Sequence, residues 1–332
     1  MHILLTGGSG FIGKHCLSYL LKHGHTVVAT VRSSDKGEQL LSSNPDAKTS
    51  NQLRYSIVED IATPGSFDNV VQSSPPFDAV LHTASPFHYN VIDPKKDMID
   101  PAVQGTTEIL RAIQKHAPSI KRVVVTSSFV AMINFPNHPA VYTPDIWNPI
   151  TMEMALTGGM LTYIGSKKFA EKAAWDFIQQ ENPHFSLSTV NPVLVFGPVS
   201  DLTSLAGINT SNAIFRDIIT GKYRDAIPPG GFRWVDVRDV ALAHVRALEV
   251  PEAAGKRLIA DAGTFTHARI AQIVKDSFPE LADRLPAEIE LPAEEAGFGI
   301  DTRLVNEVLG VPFRSLEESV VDTVRSLLGV EH

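Results

Sequence analysis

The chain has 332 residues, of which 43% are hydrophobic, and this is ample for a large buried core. Its 29 basic and 37 acidic residues leave a net charge of −8, which argues against nucleic acid or an anionic membrane as a partner. The single cysteine, Cys16, excludes a disulfide framework, and no apolar run approaches the length of a membrane span. These features are expected of a cytoplasmic globular protein without a signal peptide.

A short apolar strand at residues 3–5 is followed by a glycine-rich turn that contains Gly7, Gly10 and Gly13. An apolar stripe typical of a helix comes directly after this turn. In such an arrangement the glycines permit a tight turn, a close approach of the backbone to a pyrophosphate, and close packing of the helix on the strand. The pattern predicts a dinucleotide-binding site in which Phe11 and Ile12 also contact the cofactor.

A second apolar strand, at residues 26–31, ends at Arg32, and Lys36 follows shortly after it. A site for NAD usually places Asp or Glu about 20 residues past the glycines, to accept hydrogen bonds from a ribose hydroxyl. Arginine cannot accept such bonds, but it binds a 2′-phosphate with two parallel donors. Arg32, with Lys36 as a helper, therefore predicts NADPH/NADP+, and the alternative is a solvated basic turn.

The remaining elements alternate between strand and helix patterns up to about residue 190. Strands are predicted at 54–58, 79–82, 122–126 and 186–190, and helices at 102–116 and 166–180. This alternation predicts an α/β fold with a Rossmann-type doubly wound parallel sheet.

Proline, glycine and threonine become frequent after about residue 191, and a helix is predicted at 240–249. We expect a NADP-binding Rossmann domain at 1–191 with about 232–262. A smaller, mostly helical C-terminal substrate lobe is expected at about 192–231 and 263–332.

Tyr163 and Lys167 are four residues apart in a helical pattern, so their side chains share one face. A free phenol titrates near pH 10, and a neighbouring ammonium is expected to lower that pKa toward the range useful for general acid–base catalysis. Downstream of a dinucleotide fingerprint, the pair predicts a proton donor and a lysine that binds the nicotinamide ribose. These two signals together favour a carbonyl reductase.

A second hydrogen-bond donor for the substrate oxygen is expected from the strand at 122–126, which ends in Ser127 and Ser128. Ligands bind at the carboxyl ends of the strands in an open parallel sheet. The spacing alone does not choose between the two serines, and both could simply cap the end of the strand.

The motifs around these residues resemble the extended short-chain dehydrogenases/reductases over nearly the whole chain. They are Thr6-Gly7-x-x-Gly10-x-x-Gly13, His82-Thr83-Ala84-Ser85-Pro86-Phe87, Thr126-Ser127-Ser128, Tyr163-x-x-x-Lys167, Asn191-Pro192 and Val235-Asp236-Val237-Arg238-Asp239. Within that family, the chain is similar to the dihydroflavonol/cinnamoyl-CoA reductase branch. The run Gly165–Trp175 resembles the fungal methylglyoxal/isovaleraldehyde reductases, which are NADPH-dependent ketoreductases.

The resemblance implies roles for further residues. It nominates Ser128 as the catalytic serine beside Tyr163 and Lys167, and Arg32 as the ligand of the 2′-phosphate. It places Asp60 and Ile61 at the adenine, Thr83, Ala84 and Ser85 beside the cofactor, and Pro192 and Val193 at the nicotinamide. Asp60 could equally start an ordinary turn.

An apolar pocket wall is expected from Phe87 and Phe129, which flank the cofactor and serine segments, and the resemblance adds Ile133 and Met160 to the pocket. Each of the four could equally be ordinary core. The 12 histidines show no metal-ligand spacing, so no metal site is expected. The predicted substrate is a small aldehyde or ketone resembling methylglyoxal, isovaleraldehyde or a diketone.

Other functions remain open. A dihydroflavonol- or hydroxysteroid-type dehydrogenase, or a sugar-nucleotide epimerase, would share nearly every motif, although Arg32 counts against an epimerase. A non-enzymatic NADP(H) sensor is the alternative outside enzymes, but such proteins commonly lack the tyrosine–lysine pair. Both a monomer and a homodimer fit the sequence.

Overall fold

The computed structural model describes residues 1–85, 91–200, 204–292 and 297–330. The strands are β1 (His2–Thr6), β2 (Thr26–Val31), β3 (Leu53–Ile57), β4 (Ala79–His82), β5 (Arg122–Thr126), β6 (Val141–Tyr142), β7 (Ser186–Pro192), β8 (Leu194–Phe196), β9 (Gly231–Asp236), β10 (Arg257–Ala260), β11 (Gly263–Thr266) and β12 (Gly299–Ile300). The helices are α1 (Phe11–Lys22), α2 (Ser34–Ser42), α3 (Pro45–Thr49), α4 (Asp100–His116), α5 (Met152–Ala155), α6 (Gly159–Glu181), α7 (Ala213–Ile219), α8 (Val237–Glu249), α9 (His267–Ser277) and α10 (Leu316–Leu328).

A seven-stranded sheet has the order β10-β7-β5-β4-β1-β2-β3. The pairings from β3 across to β7 are parallel. The chain first builds the sheet outward from β1 to β3 and then returns to build it on the other side of β1, starting with β4. The carboxyl ends of β1 and β4 therefore flank the point where the strand order reverses, which is where doubly wound sheets bind ligands. The predicted Rossmann-type α/β fold is confirmed.

The central strands form as their sequences predict. Every residue of β1 and β4 is buried, as expected for apolar strands that helices cover on both faces. One apolar cluster includes Leu4, Val80 and Val123 from three neighbouring strands, together with Ile109 and Ile113 from α4. This packing holds the carboxyl ends of the strands in a fixed arrangement.

The chain divides into two compact units. The first comprises 1–191, 241–259 and 298–310, and the second comprises 192–240, 260–297 and 311–332. Within the second unit β9 pairs with β8 in parallel and with β11 in antiparallel orientation. The core of this unit includes Phe196, Phe215, Trp234, Ile270 and Val324.

These units differ from the expected domain boundaries in two segments. Residues 232–240 group with the second unit because β9 pairs with β8 and β11 and not with the large sheet. Residues 298–310 group with the first unit, where β12 pairs with β6. Which unit binds cofactor and which binds substrate remains a prediction.

The helix that carries Tyr163 begins earlier than the sequence pattern predicts, at Gly159 and not at Ser166. Gly158, at its N-cap, has φ +102°, a conformation that favours glycine. Tyr163 consequently lies inside the helix, one turn before Lys167.

Over the residues described, we find no helix with both the length and the apolar character needed to cross a membrane.

Candidate active site

The glycine-rich turn lies between the end of β1 and the start of α1. Gly7 has φ +72°, and the Gly10 amide donates to the Gly7 carbonyl at 2.9 Å. A Cβ on Gly13 would lie 2.1 Å from that same carbonyl oxygen, so a side chain there would force the turn and the helix apart. The tight turn and the close strand–helix packing are the features that a dinucleotide-binding turn requires, and the backbone therefore fits a dinucleotide.

The segment after β4 packs directly against this turn. Thr83 donates its hydroxyl to the Thr6 carbonyl at 2.7 Å, and the Ala84 amide donates to the Thr6 hydroxyl at 3.2 Å. A Cβ on Gly7 would lie 2.7 Å from the Ala84 nitrogen. The structure thus brings Thr83 and Ala84, both predicted to lie beside the cofactor, against the glycines.

The predicted phosphate and adenine ligands follow the next two strands. Arg32 and Lys36 are exposed at the end of β2 and the start of α2, where the Ser33 hydroxyl caps the helix. Asp60 accepts from the Ala62 amide at 2.9 Å, and Ile61 packs against Gly105 on α4. Asp60 therefore does start a turn, and its adenine role, like the 2′-phosphate role of Arg32, remains a prediction.

The two serines after β5 have different surroundings. Ser127 is buried and donates to the Glu171 carboxylate at 2.5 Å. Ser128 caps a short 3-10 turn, Phe129–Ala131, and shares a side-chain hydrogen bond with Tyr163. The Ser128 hydroxyl lies at the phenol, whereas the Ser127 hydroxyl bonds Glu171. This geometry fits Ser128 as the second donor to a substrate oxygen, and that role remains a prediction.

Lys167, one turn beyond Tyr163 on α6, donates to the Ser85 hydroxyl at 3.0 Å. Burial lowers the pKa of Lys167 to about 8. The helix therefore points this lysine toward the segment that follows β4, as a ribose-binding role requires.

The pKa of Tyr163 is raised, which is opposite to the direction expected from the sequence. Burial raises it, and the hydrogen bond with Ser128 acts in the other direction with a smaller effect. The reason is that the phenolate loses hydration inside the protein, and this cost outweighs its stabilisation by neighbours.

The three predicted pocket residues that the structure describes differ in their exposure to solvent. Phe129 and Ile133 are each 1% exposed, and Phe129 packs against Tyr142 and Phe298 at ring-centroid distances of 5.0 and 6.2 Å. Such burial argues against these two side chains as a pocket wall. Met160, by contrast, is 70% exposed. Phe87 lies outside the described residues.

Pro192 and Val193 are buried where β7 ends, and the Val193 amide donates to the Ala260 carbonyl at 3.2 Å. Their contact with the nicotinamide remains a prediction.

Two polar residues of this region had no role in the sequence prediction. Glu171 on α6 and Asn191 on β7 are buried, and Asn191 donates to Glu171 at 2.7 Å. The available signal was a carboxylate one helical turn after Lys167, on the helix face that also carries Tyr163.

The absence of a metal site remains a prediction, and one cluster of possible ligands lies away from the candidate site. His23, His25 and Glu249 have possible ligand atoms within 4.8 Å of one another. The histidines hydrogen-bond one Glu249 oxygen at 2.8 and 3.0 Å. They adjoin the amino end of β2, whereas the glycine turn and Ser128 follow the carboxyl ends of strands.

Comparisons with known proteins identify the family of this chain. Residues 3–262 match the model of the NAD dependent epimerase/dehydratase family. Ketoreductase azaE of Aspergillus niger is 48% identical over 335 residues, covering 98% of this chain and 97% of the relative. The putative NADPH-dependent methylglyoxal reductase GRP2 of Candida albicans is 40% identical over 337 residues, covering 98% of each.

The fold is also similar to a solved structure, that of Gre2 from Candida albicans in complex with NADPH. The TM-score is 0.93 at 39% identity, and the match covers 100% of both chains. The chain therefore belongs to the NAD dependent epimerase/dehydratase family, the extended short-chain dehydrogenases/reductases that its motifs resemble, and its relatives there include fungal ketoreductases.

Proposed function

We propose that this protein is an NADPH-dependent carbonyl reductase that converts aldehydes and ketones to alcohols. The observation that carries the proposal is the hydrogen bond between Ser128 and Tyr163. Ser128 follows the carboxyl end of β5, and the glycine turn follows the carboxyl end of β1 in the same parallel sheet. The relatives support it, since the Aspergillus niger protein is named a ketoreductase and the Candida albicans protein an NADPH-dependent methylglyoxal reductase. Small carbonyls resembling methylglyoxal, isovaleraldehyde or a diketone are the proposed substrates.

The glycine turn, with Phe11 and Ile12 at the start of α1, holds the pyrophosphate of the cofactor in this proposal. Arg32 holds the 2′-phosphate with Lys36 as a helper, because a planar guanidinium donates two parallel bonds to a phosphate. Asp60 and Ile61 border the adenine. Pro192 and Val193 border the nicotinamide.

When bound, NADPH supplies the hydride that reduces the carbonyl carbon. Ser128 and Tyr163 both donate hydrogen bonds to the carbonyl oxygen and stabilise the negative charge that develops on it. Tyr163 then gives its proton to that oxygen, and its raised pKa keeps it protonated at neutral pH. Lys167 binds the nicotinamide ribose, beside Ser85.

The domain roles, assembly and location are part of the proposal. The first unit carries the proposed ligands of the pyrophosphate, the 2′-phosphate and the adenine, and the second unit is proposed to contribute to substrate binding. A monomer and a homodimer both remain compatible with this function, and a cytoplasmic location is expected. Nucleic acid is not an expected partner, because the chain carries a net charge of −8.

The test is the loss of NADPH absorbance when purified protein is mixed with single carbonyls. The panel contains methylglyoxal, isovaleraldehyde, α-diketones, aryl ketones, β-keto esters and a dihydroflavonol, each also tested with NADH. Turnover with NADPH and a small carbonyl is expected. Preference for the dihydroflavonol would favour the alternative of a dihydroflavonol-type dehydrogenase. Tight NADPH binding without turnover of any carbonyl would contradict the proposal and favour a sensor.

A further inference from the structure

Glu171 is the third residue of a regularly spaced series on α6, since it follows Tyr163 and Lys167 at intervals of one helical turn. Its carboxylate is fully buried, with a side-chain exposure of 0%. A buried carboxylate is costly unless hydrogen bonds and opposite charge compensate it. The hydrogen-bond donors around the Glu171 carboxylate therefore show which segments of the chain it fixes.

One oxygen, Oε2, accepts hydrogen bonds from residues next to Ser128. It accepts from the Ser127 hydroxyl at 2.5 Å and from the Asn191 amide nitrogen at 2.7 Å. The same Asn191 nitrogen lies 3.4 Å from the Ser128 carbonyl oxygen. Both the residue before Ser128 and the main chain of Ser128 itself are thus tied to this network.

The other oxygen, Oε1, accepts hydrogen bonds from side chains inside the first unit. It accepts from Arg257 Nε at 2.6 Å and from the Trp175 indole and the Thr189 hydroxyl at 3.2 Å each. Arg257 is held in turn by the carbonyls of Pro144 and Ile146, each at 2.7 Å. The arginine balances the charge of the carboxylate and fixes its orientation.

A buried ion pair by itself is weak support for a functional role, because such pairs often add little stability. Charge compensation by Arg257 occupies only Oε1. The second oxygen, Oε2, lies against the carboxyl ends of the neighbouring strands β5 and β7. Ser127 comes directly after β5, and Asn191 lies near the end of β7. An ion pair that served stability alone would not need the second oxygen to bind Ser127 and Asn191.

We propose that Glu171 is a positioning residue, which acts through Ser127 and Asn191 to hold Ser128 within hydrogen-bonding distance of Tyr163. The proposal rests on the carbonyl reductase function proposed above. Ser128 and Tyr163 must reach one substrate oxygen together, and a displacement of about 1 Å at such a site costs roughly a hundredfold in rate.

The experiment compares Glu171→Gln with the wild type. Glutamine keeps the shape, but its amide nitrogen cannot accept from the hydroxyl and amide donors that face the carboxylate. We expect kcat to fall by about tenfold to a hundredfold, with the Kd for NADPH within about twofold of wild type. Glu249→Gln is the matched control, because Glu249 also binds several partners, His23, His25 and Arg246, but near the amino end of β2. Its kcat is expected to stay near that of the wild type.

A double-mutant cycle with Ser127→Ala separates positioning from a general loss of stability. If Glu171 acts through Ser127, the two changes are non-additive, and the double variant loses little more kcat than Glu171→Gln alone. Additive losses, or an unchanged kcat in Glu171→Gln, would overturn the proposal. Should Glu171→Gln not fold, Ser127→Ala removes one of the two hydrogen bonds to Oε2 and is expected to lower kcat at least several-fold. An unchanged kcat in Ser127→Ala would then overturn it.

Crystal structures of wild type and Glu171→Gln, or of Ser127→Ala if the first variant does not fold, make the test independent of the reaction. A variant in which the Ser128 hydroxyl leaves Tyr163 supports the positioning role, and one in which this bond is retained contradicts it. A wild type that turns over no carbonyl contradicts the proposed function, and the crystal structures then still decide the role of Glu171.

Discussion

Lys167 donates a hydrogen bond from Nζ to the Ser85 hydroxyl at 3.0 Å, although 82 positions separate the two residues. Ser85 follows β4, and Lys167 lies on α6 beside the helix turn of Tyr163. The bond therefore joins the segment predicted to run beside the cofactor to the helix that carries the proposed proton donor.

Replacement of Tyr163 by phenylalanine tests the proton donor. Phenylalanine keeps the ring but removes the hydroxyl that hydrogen-bonds Ser128. We expect kcat for carbonyl reduction to fall by at least about a hundredfold, while NADPH binding stays near wild type. Steady-state kinetics and a fluorescence titration with NADPH measure the two quantities. Turnover equal to wild type would exclude Tyr163 as the donor.

Arg32→Asp tests the choice of cofactor. Arg32 is exposed at the end of β2, so the change should leave the fold intact. Aspartate would repel the 2′-phosphate and could accept hydrogen bonds from the ribose of NADH. The ratio of kcat/KM for NADPH to that for NADH should fall by about tenfold to a hundredfold. An unchanged ratio would mean that another residue selects the cofactor.

Gly13→Ala tests the glycine turn. The added Cβ would lie 2.1 Å from the Gly7 carbonyl oxygen, so α1 must move away from β1. We expect NADPH affinity to fall at least about tenfold, or about 1.4 kcal/mol, in a binding titration. Gly329→Ala is the control, because Gly329 has φ −84° and no atom within 4 Å of the added Cβ. Equal affinity in both variants would show that this close approach is unimportant.

The pH dependence of the reaction should follow Lys167 and not Tyr163. Burial lowers the pKa of Lys167 to about 8, whereas burial raises the pKa of Tyr163 above its ordinary value. As the pH rises through about 8, Lys167 loses its charge while Tyr163 keeps its proton. The kcat/KM for NADPH, which reports groups of the free enzyme, should therefore decline above about pH 8.

Rates between about pH 6 and pH 10 measure this decline. Lys167→Arg is the control, because a guanidinium stays charged over that range and removes the step near pH 8. A wild-type kcat/KM that stays constant up to about pH 10 would show that the charge of Lys167 does not control the reaction in this range.

His82 should make the protein sensitive to acid. Burial, followed by the charge of Lys167, lowers the pKa of His82 to about 4, from 6.5. As the pH falls, the unfolded chain therefore binds this proton first. The stability associated with neutral His82 is fully present above about pH 6.5 and is lost as the pH falls through about 4, on the order of 3 kcal/mol in total.

Urea denaturation at a series of pH values measures this loss. In His82→Gln the side chain does not titrate, and its amide can still hydrogen-bond Thr6, the partner of His82 at 2.8 Å. The free energy of unfolding of this variant should fall less steeply with acid than that of the wild type. Equal slopes would show that other groups cause the loss.

Much of the fold followed from local sequence patterns. The predicted strands at 26–31, 79–82 and 122–126 match β2, β4 and β5, because each is a short apolar run that ends at a polar residue. The small strands β8, β9 and β11 were not predicted. These strands pair with partners that are distant in the sequence, and their own residues show no strong alternation of apolar and polar side chains.

The candidate site divides in the same way. The spacing of Tyr163 and Lys167 and the glycines at 7, 10 and 13 are local features, and the sequence by itself was sufficient to predict them and the family. Residue spacing did not separate Ser128 from Ser127, although the family resemblance nominated Ser128. The tertiary structure separates them, because the Ser128 hydroxyl bonds Tyr163 and the Ser127 hydroxyl bonds Glu171. It also reversed the expected direction of the Tyr163 pKa shift, since burial is a property of the folded chain. The spacing of residues along one helix can be read from the sequence. The loss of hydration by buried side chains and the contacts between distant segments arise only when the chain folds.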